Sequence, residues 1–403
     1  ETYYPETASL SVDDILSFRP REGPGSFAKH SALTPTRYYI EKGLNENKTS
    51  TQYKAYSGYF TSYPSQNKIK RDVGPDGVNR QVTKTRMTFV RDEERTSEVL
   101  FVPKDSRGPR VIAREPQFNL KAQMSYFDAV SSSLERDSQN RINFKDQGVN
   151  QRLVVQSSVS ISQYATLDLK EGSDRISYEL VKELFRYCPG LTKTILLTRS
   201  THSLLPDGRV IPLRKLAGMG SGLTFPTMAL IIHLAVATYI QQKTGLPYET
   251  VSKSVYVYGD DIIVPSWYYA EAQCALELVG LSVNKEKSFR LSHFRESCGV
   301  DCFNGVNVTP VRLKLSNASL GKPSMSIELQ DAGILQLERH CRELVKAGLW
   351  QLSNFYYTRL ESVLGPLPNI TGESHVLGRW VFNPEIVLVE DKRRKSWVSK
   401  SIT

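Results

Sequence analysis

Val255-Tyr256-Val257-Tyr258-Gly259-Asp260-Asp261-Ile262-Ile263-Val264 sets two apolar, β-branched runs on either side of a Gly-Asp-Asp turn. Runs of this composition around a glycine-containing turn read as a hairpin, here with two carboxylates at its tip. An acidic turn alone is an ordinary solvated feature. Buried strands on both sides change its weight, because a rigid scaffold fixes where the carboxylates point.

Upstream, Tyr164-Ala165-Thr166-Leu167-Asp168-Leu169 reads as a strand ending in an acid, followed by Gly172-Ser173-Asp174 and a helix with Ile176, Leu180, Val181, Leu184 and Phe185 on one face. Leu204 to Ile211 signals another hairpin, and the glycine loop Gly218-Met219-Gly220-Ser221-Gly222 leads into an apolar helix from about Pro226 to Ile240. The most apolar run, Phe225 to Ile240, is short for a bilayer and carries His233, so it reads as a core helix. Downstream, Ser266 is placed to N-cap a helix ending at Gly280, and Leu281-Ser282-Val283 resumes as a strand. Strands and helices in this order predict an α+β fold, an antiparallel ferredoxin-like sheet backed by helices. Asp168, at a strand end, and Asp260 with Asp261, at a hairpin tip, come from two separate segments, and carboxylates converging in this way are a donor set for two divalent cations.

Earlier in the chain, Glu98 to Val102 and Arg110 to Ala113 read as paired strands around a basic turn, Lys104 to Pro109. The first hundred residues are otherwise weakly periodic and read as an irregular, surface-rich lobe. Beyond Pro310, Leu335, Leu337, Cys341, Leu344 and Val345 recur at near-helical spacing, and Lys392-Arg393-Arg394-Lys395-Ser396-Trp397 mixes cations with an aromatic. The 403 residues carry 52 Lys and Arg against 42 Asp and Glu, a formal charge of +10 that favours an anionic partner. Five scattered cysteines without a C-x-x-C pair predict free thiols, and His293, Cys298 and Cys302 lack a second ligand pair, so no zinc is expected. The chain opens on Glu1-Thr2-Tyr3-Tyr4 with no initiator Met or signal pattern, which predicts a trimmed or incomplete N-terminus.

Taken in order, these segments carry a resemblance. Tyr258-Gly259-Asp260-Asp261 resembles motif C of viral RNA polymerases, Asp168 with Asp174 resembles motif A, Gly220 to Phe225 resembles motif B, and Asn284-Lys285-Glu286-Lys287-Ser288-Phe289 resembles motif D. Most specific is Phe294-Arg295-Glu296-Ser297-Cys298-Gly299 followed by Phe303-Asn304-Gly305-Val306-Asn307-Val308-Thr309-Pro310, which is similar to the segment after motif D in replicases of the leviviruses, small positive-strand RNA bacteriophages. The resemblance covers about Glu98 to Pro310, with weaker support at Arg21 to Gly25.

The resemblance implies an RNA-directed RNA polymerase shaped as a right hand: fingers at 1–160 and 186–216, palm at 161–185 and 217–310, thumb and C-terminal region at 311–403. It implies two Mg²⁺ ions, with Mn²⁺ as a substitute, held mainly by Asp168 and Asp260, with Asp261 auxiliary and the Leu169 carbonyl an extra ligand. Lys287 would be the general acid, with Lys285 the competing candidate. Lys104, Arg110 and Arg114 would contact the triphosphate, and Arg107 reads as a solvated member of the same hairpin. Asp174 would receive the ribose 2′-OH, with Ser221, Gly222 and Thr224 lining the nucleotide site. The implied partners are single-stranded RNA template and product, NTPs, and the host translation elongation factors Tu and Ts. The implied location is the cytoplasm of an infected bacterium, with no membrane segment.

Two departures from the family pattern stand out. Lys170-Glu171 replaces small residues between the motif A aspartates, and Ser221 stands where an amide side chain is common between the motif B glycines. The rival readings are a reverse transcriptase, which would screen the sugar with a bulky aromatic, and an inactive RNA-binding relative, which would have no use for all three aspartates.

Overall fold

The apolar hairpin forms as read. In the computed structural model Tyr256–Tyr258 and Asp261–Pro265 pair antiparallel with Tyr258 opposite Asp261, and Tyr164–Leu167 adds on the outer side of the second strand, Leu167 facing Ile262. The strands Tyr164–Leu167 and Asp261–Pro265 bury both faces, while Tyr256–Tyr258 buries only Val257: Leu167, Val257, Ile262, Ile263 and Val264 are all within 2% of complete burial. This continuity of apolar residues is what a strand covered on both sides requires. Isolated bridges from Thr166 to Phe289 and from Leu169 to Val283 extend the sheet. The segment read as a strand at Leu281–Val283 is thus reduced to one bridge.

The structure describes residues 3–17, 96–105, 108–161, 163–312, 327–370 and 377–381, with the backbone of short strands at 48–49, 68–73, 79–84, 89–90, 388–391 and 396–399. Residues 21–25, Arg107, residues 392–395 and the side chain of Lys104 lie outside that set. The chain forms two units, Glu1–Val308 and Thr309–Thr403.

In the first unit the helix Thr224–Thr244 runs through the core, burying twelve residues from Thr224 to Ile240. Its 21 residues are apolar and long enough to cross a bilayer, longer than the sequence suggested, and two-thirds of its apolar window is buried within the protein. Burial, rather than length, makes it a core helix. It ends at Gly245, whose φ of 72° supplies the left-handed stop. Ser266 departs from expectation: its hydroxyl donates to the Ile161 carbonyl (2.9 Å), and the helix that follows, Tyr269–Leu278, has no side-chain cap. Thr96–Asp105 and Gly108–Arg114 make the basic hairpin with a tighter turn than expected, inside a four-stranded sheet completed by His202–Leu204 and Val210–Pro212. The early lobe contains an antiparallel strand pair, Lys68–Val73 with Asn79–Lys84.

The N-terminal segment is tied to the core through His233, which is 1% exposed. Its Nε2 faces the Ser252 carbonyl at 3.1 Å, so it carries the proton, and the neutral Nδ1 accepts from the Tyr4 hydroxyl at 2.5 Å. Burial lowers its pKa from the ordinary 6.5 to about 4. The folded form therefore resists a proton that the unfolded chain takes up below 6.5. The stabilisation is complete above that pH and is lost as pH falls towards 4, by about 1.4 kcal/mol per pH unit. Chemical unfolding between pH 7.5 and 5 is expected to show this slope, and His233→Gln is expected to flatten it; parallel curves would refute the assignment.

The second unit packs helix Ile327–Lys346 against Trp350–Leu364 through Leu337, Cys341, Val345, Tyr357, Leu360 and Leu367. Leu344 is also buried. Leu335, grouped with these by its spacing, is instead 48% exposed.

Candidate active site

The carboxylates sit where the sheet's geometry turns the chain. Gly259 takes φ 66° and Asp260 does not, the pattern of a type II′ turn with glycine at its first central position. A side chain on Gly259 would enter the Phe225 ring, which lies edge-on to Tyr258 and Phe144. Asp260 projects into solvent and Asp261 is partly buried behind it. Asp168 directly follows the strand beside them. Its backbone N–H donates to Ser288 Oγ at 3.1 Å, and its Oδ2 accepts from Asn284 Nδ2 at 3.0 Å.

The charge of Asp260 acts on both Asp168 and Asp261. Burial pushes Asp261 up to about 6, Asp260 adds to this, and Asp168 contributes further; a backbone hydrogen bond from Cys298 and the Ser297 hydroxyl (3.3 Å) oppose it. Burial also raises Asp168, against the pull of Lys287 and Asn284, with Asp260 and Glu296 pushing the same way as burial. Like charges held together in partly buried positions favour protons or cations. All-oxygen donors of this kind suit a hard divalent ion. Among the described residues no three His, Cys, Asp or Glu side chains close around a single point.

Lys287 lies at 3.5 Å from Glu296 and its charge reaches Asp168, whereas Lys285, on the same 3₁₀ turn, is exposed. Nothing in the sequence singles out Glu296. It lies in the run Phe294–Ser297, Val300–Phe303 and Val306–Asn307, a three-stranded meander whose turns place positive φ at Cys298 and Gly299 and again at Asn304 and Gly305. Two positive φ values are the type I′ requirement. One side of the first turn faces Asp261. Arg295, with no exposed surface, anchors the meander by donating to the carbonyls of Tyr164, Ile161, Arg290, Ser292 and Phe294. Cys298, whose thiol is pushed up to about 12 chiefly by burial, is no nucleophile.

The glycine loop owes its composition to close packing inside the protein. A Cβ at Gly220 would meet the Ala113 carbonyl oxygen at 2.5 Å, and one at Gly222 the Gln123 carbonyl oxygen at 2.7 Å. Ser221 is buried, and its hydroxyl donates to Gln123 Oε1 (2.9 Å), which also accepts from Gly222 N–H. Gln123 in turn donates to the Thr198 carbonyl and to Glu115, a fully buried carboxyl that also accepts from Ser200. Thr224 Oγ1 closes the loop onto the Gly218 carbonyl. Of the basic hairpin, Arg110 is exposed and Arg114 is paired with Glu98. Leu169 is buried beside Asp168, and Asp174 lies in the short helix Gly172–Arg175, its Oδ1 2.5 Å from Lys215 Nζ.

The family model described as RNA replicase, beta-chain, matches residues 60–322, which contain every one of these groups. The chain belongs to that family. Among its relatives, the RNA-directed RNA polymerase subunit beta of Enterobacteria phage SP is 37% identical over 226 residues, covering 55% of this chain and 37% of that protein. The corresponding subunit of Escherichia virus Qbeta is 35% identical over 220 residues, 54% of this chain and 35% of that one. The RNA-directed RNA polymerase beta chain of Escherichia phage MS2 is 32% identical over 216 residues, 54% and 37% respectively. The match thus spans little more than a third of the length of these replicase chains. The RNA-dependent RNA polymerase of a human picorbirnavirus aligns over 90% of this chain and 74% of its own, with 13% identity and a TM-score of 0.45. The levivirus resemblance carried by the sequence motifs is borne out by the replicase relatives.

Proposed function

We propose that this chain is an RNA-directed RNA polymerase that joins NTPs to the 3′ end of a growing RNA on a single-stranded template. The observation that carries the reading is the meeting of Asp168, at a strand end, with Asp260 and Asp261, at a hairpin tip, as mutually repelling carboxylates on one sheet. The names of the replicase relatives support it. Two Mg²⁺ ions, or Mn²⁺ in their place, would activate the attacking 3′ oxygen and neutralise the triphosphate when bound there. Asp168 and Asp260 would be the main ligands, with Asp261 and the Leu169 carbonyl assisting. Lys287, held by Glu296, would hand its proton to the departing pyrophosphate; its nearness to Asp168 favours it over Lys285. Arg110 and Lys104, with Arg114, would take the charge of the triphosphate. Gly222 and Thr224 would shape the nucleotide site through the loop backbone.

In this reading the three-stranded sheet and its helices form the palm (161–185 and 217–310), the basic hairpin belongs to the fingers (1–160 and 186–216), and 311–403 form the thumb. The separation of the second unit at Thr309 supports the last boundary. The word subunit in the relatives' names supports assembly with further chains, for which elongation factors Tu and Ts in an infected bacterial cytoplasm are the implied partners.

The test combines purified chain, single-stranded RNA, labelled NTPs and Mg²⁺, with and without bacterial extract. Template-dependent product that disappears with chelator is expected; its absence in every combination would sink the reading. Template affinity is expected to fall steeply with salt, since each phosphate neutralised on a single strand contributes a log–log slope of about 0.7. A flat titration would exclude an electrostatic RNA channel.

A further inference from the structure

The Ser221 hydroxyl is engaged inside the protein by Gln123 and by the Leu223 N–H. It is therefore not free to help read a ribose. A different group occupies Asp174: Lys215, whose Nζ lies 2.5 Å from Oδ1, both side chains about one-third exposed. Among the described residues Asp174 makes no other side-chain bond, so Oδ2 keeps its acceptor capacity.

The backbone of Lys215 is held unusually firmly. Tyr178 N–H donates to the Arg214 carbonyl and Leu216 N–H to the Ile176 carbonyl, which fixes Lys215 opposite Ser177. Arg199, buried and seated 4.1 Å over the Tyr178 ring, donates to the carbonyls of Leu213, Lys215 and Leu216. From Lys215 the chain runs directly into the glycine loop. An ammonium on so rigid a mount holds the Asp174 carboxylate in one orientation.

We propose that Lys215 is a positioning residue for sugar selection: it holds Asp174 so that the free carboxylate oxygen accepts the ribose 2′-OH. This rests on the polymerase reading above. A carboxylate aligned in advance rejects a sugar lacking the hydroxyl, because its acceptor is then left without a partner.

The measurement is kcat/KM for single incorporation of ATP and dATP by full chains carrying Lys215→Met, Lys215→Arg, Asp174→Ala and the Lys215→Met/Asp174→Ala pair, with Tm recorded for each. Lys215→Met is expected to cut the ATP value about tenfold to a hundredfold while dATP changes about twofold at most. Arg should restore much of the preference, and the double variant should be no less selective than Asp174→Ala alone. Lys215→Gln, close in length, serves if the Met variant is unfolded. Equal losses on both substrates, or an unchanged ratio, overturn the role of Lys215. If Asp174→Ala alone erases the preference, the sugar-reading role of Asp174 survives without it; a wild type indifferent to the sugar overturns both.

Discussion

Asp260→Asn is expected to slow nucleotide addition by about a thousandfold or more, on the order of 4 kcal/mol of transition-state stabilisation, while leaving RNA affinity nearly unchanged. The two effects separate because the groups differ. Asp260 sits at the hairpin tip and its charge is felt by both Asp168 and Asp261, so neutralising it weakens the field that would hold the cations. RNA contact is expected to run through lysines and arginines elsewhere and does not need that charge. Stability should move the other way: removing one of three crowded negative charges relieves repulsion, so Tm should hold or rise slightly. Single-turnover extension and filter binding on the same preparation check both halves. Extension at near wild-type rate would end the two-cation assignment.

The carboxylate hairpin and the strand before Asp168 are legible in the sequence because apolar β-branched runs around a glycine turn have few other solutions. The basic hairpin is legible for the same reason. What escapes is mostly charged or polar residues in unusual places. Arg295 and Glu115 read as surface residues by type, yet one ties five carbonyls inside the protein and the other lies fully buried in the network behind the glycine loop. Nothing in a single sequence marks an arginine whose partners are backbone carbonyls of its own approach segment and of the start of a strand some 130 residues earlier. The roles of Glu296 and Lys215 depend on how the chain turns between partners, which local pattern does not carry: one reaches back to Lys287 on the preceding 3₁₀ turn, the other reaches Asp174 across 41 residues.

Turn residues carry more information than the strand pattern around them. Asn304-Gly305 between Phe303 and Val306 is a strong type I′ signal, and together with the Cys298-Gly299 turn it folds the family-specific run into a meander. The glycine loop carries a correct hint of close approach, but what approaches is Ala113 and Gln123. Ser266 shows the reverse error, a good capping residue in a good capping position whose hydroxyl finds a tertiary carbonyl instead. Local propensity loses there to a contact 105 residues away.

Gly259→Ala is expected to lower the rate of nucleotide addition by about a hundredfold and to destabilise the chain by a few kcal/mol, although a methyl group is the only change. Two costs combine. At φ 66° an alanine pays about 1 kcal/mol that glycine does not. Its Cβ would also lie 2.2 Å from Phe225 Cε2, an overlap of the kind that costs about 1 to 3 kcal/mol. The ring cannot simply swing aside, since Tyr258 and Phe144 meet it edge-on at 5.7 and 5.6 Å and Phe127 stacks at 6.4 Å. The strands flanking the turn are buried, so the tip is the part able to yield, and the tip carries Asp260 and Asp261. A shift of about 1 Å in such groups is enough for a hundredfold loss. Gly280→Ala is the control: it has φ 82° with nothing within 4 Å of the added Cβ, so it should cost only the conformational term and leave the rate alone. Phe225→Leu combined with Gly259→Ala makes room for the methyl and should recover part of the rate but not the φ penalty. Wild-type extension by Gly259→Ala, or no recovery in the pair, would show that the Phe225 ring does not set the position of the carboxylates.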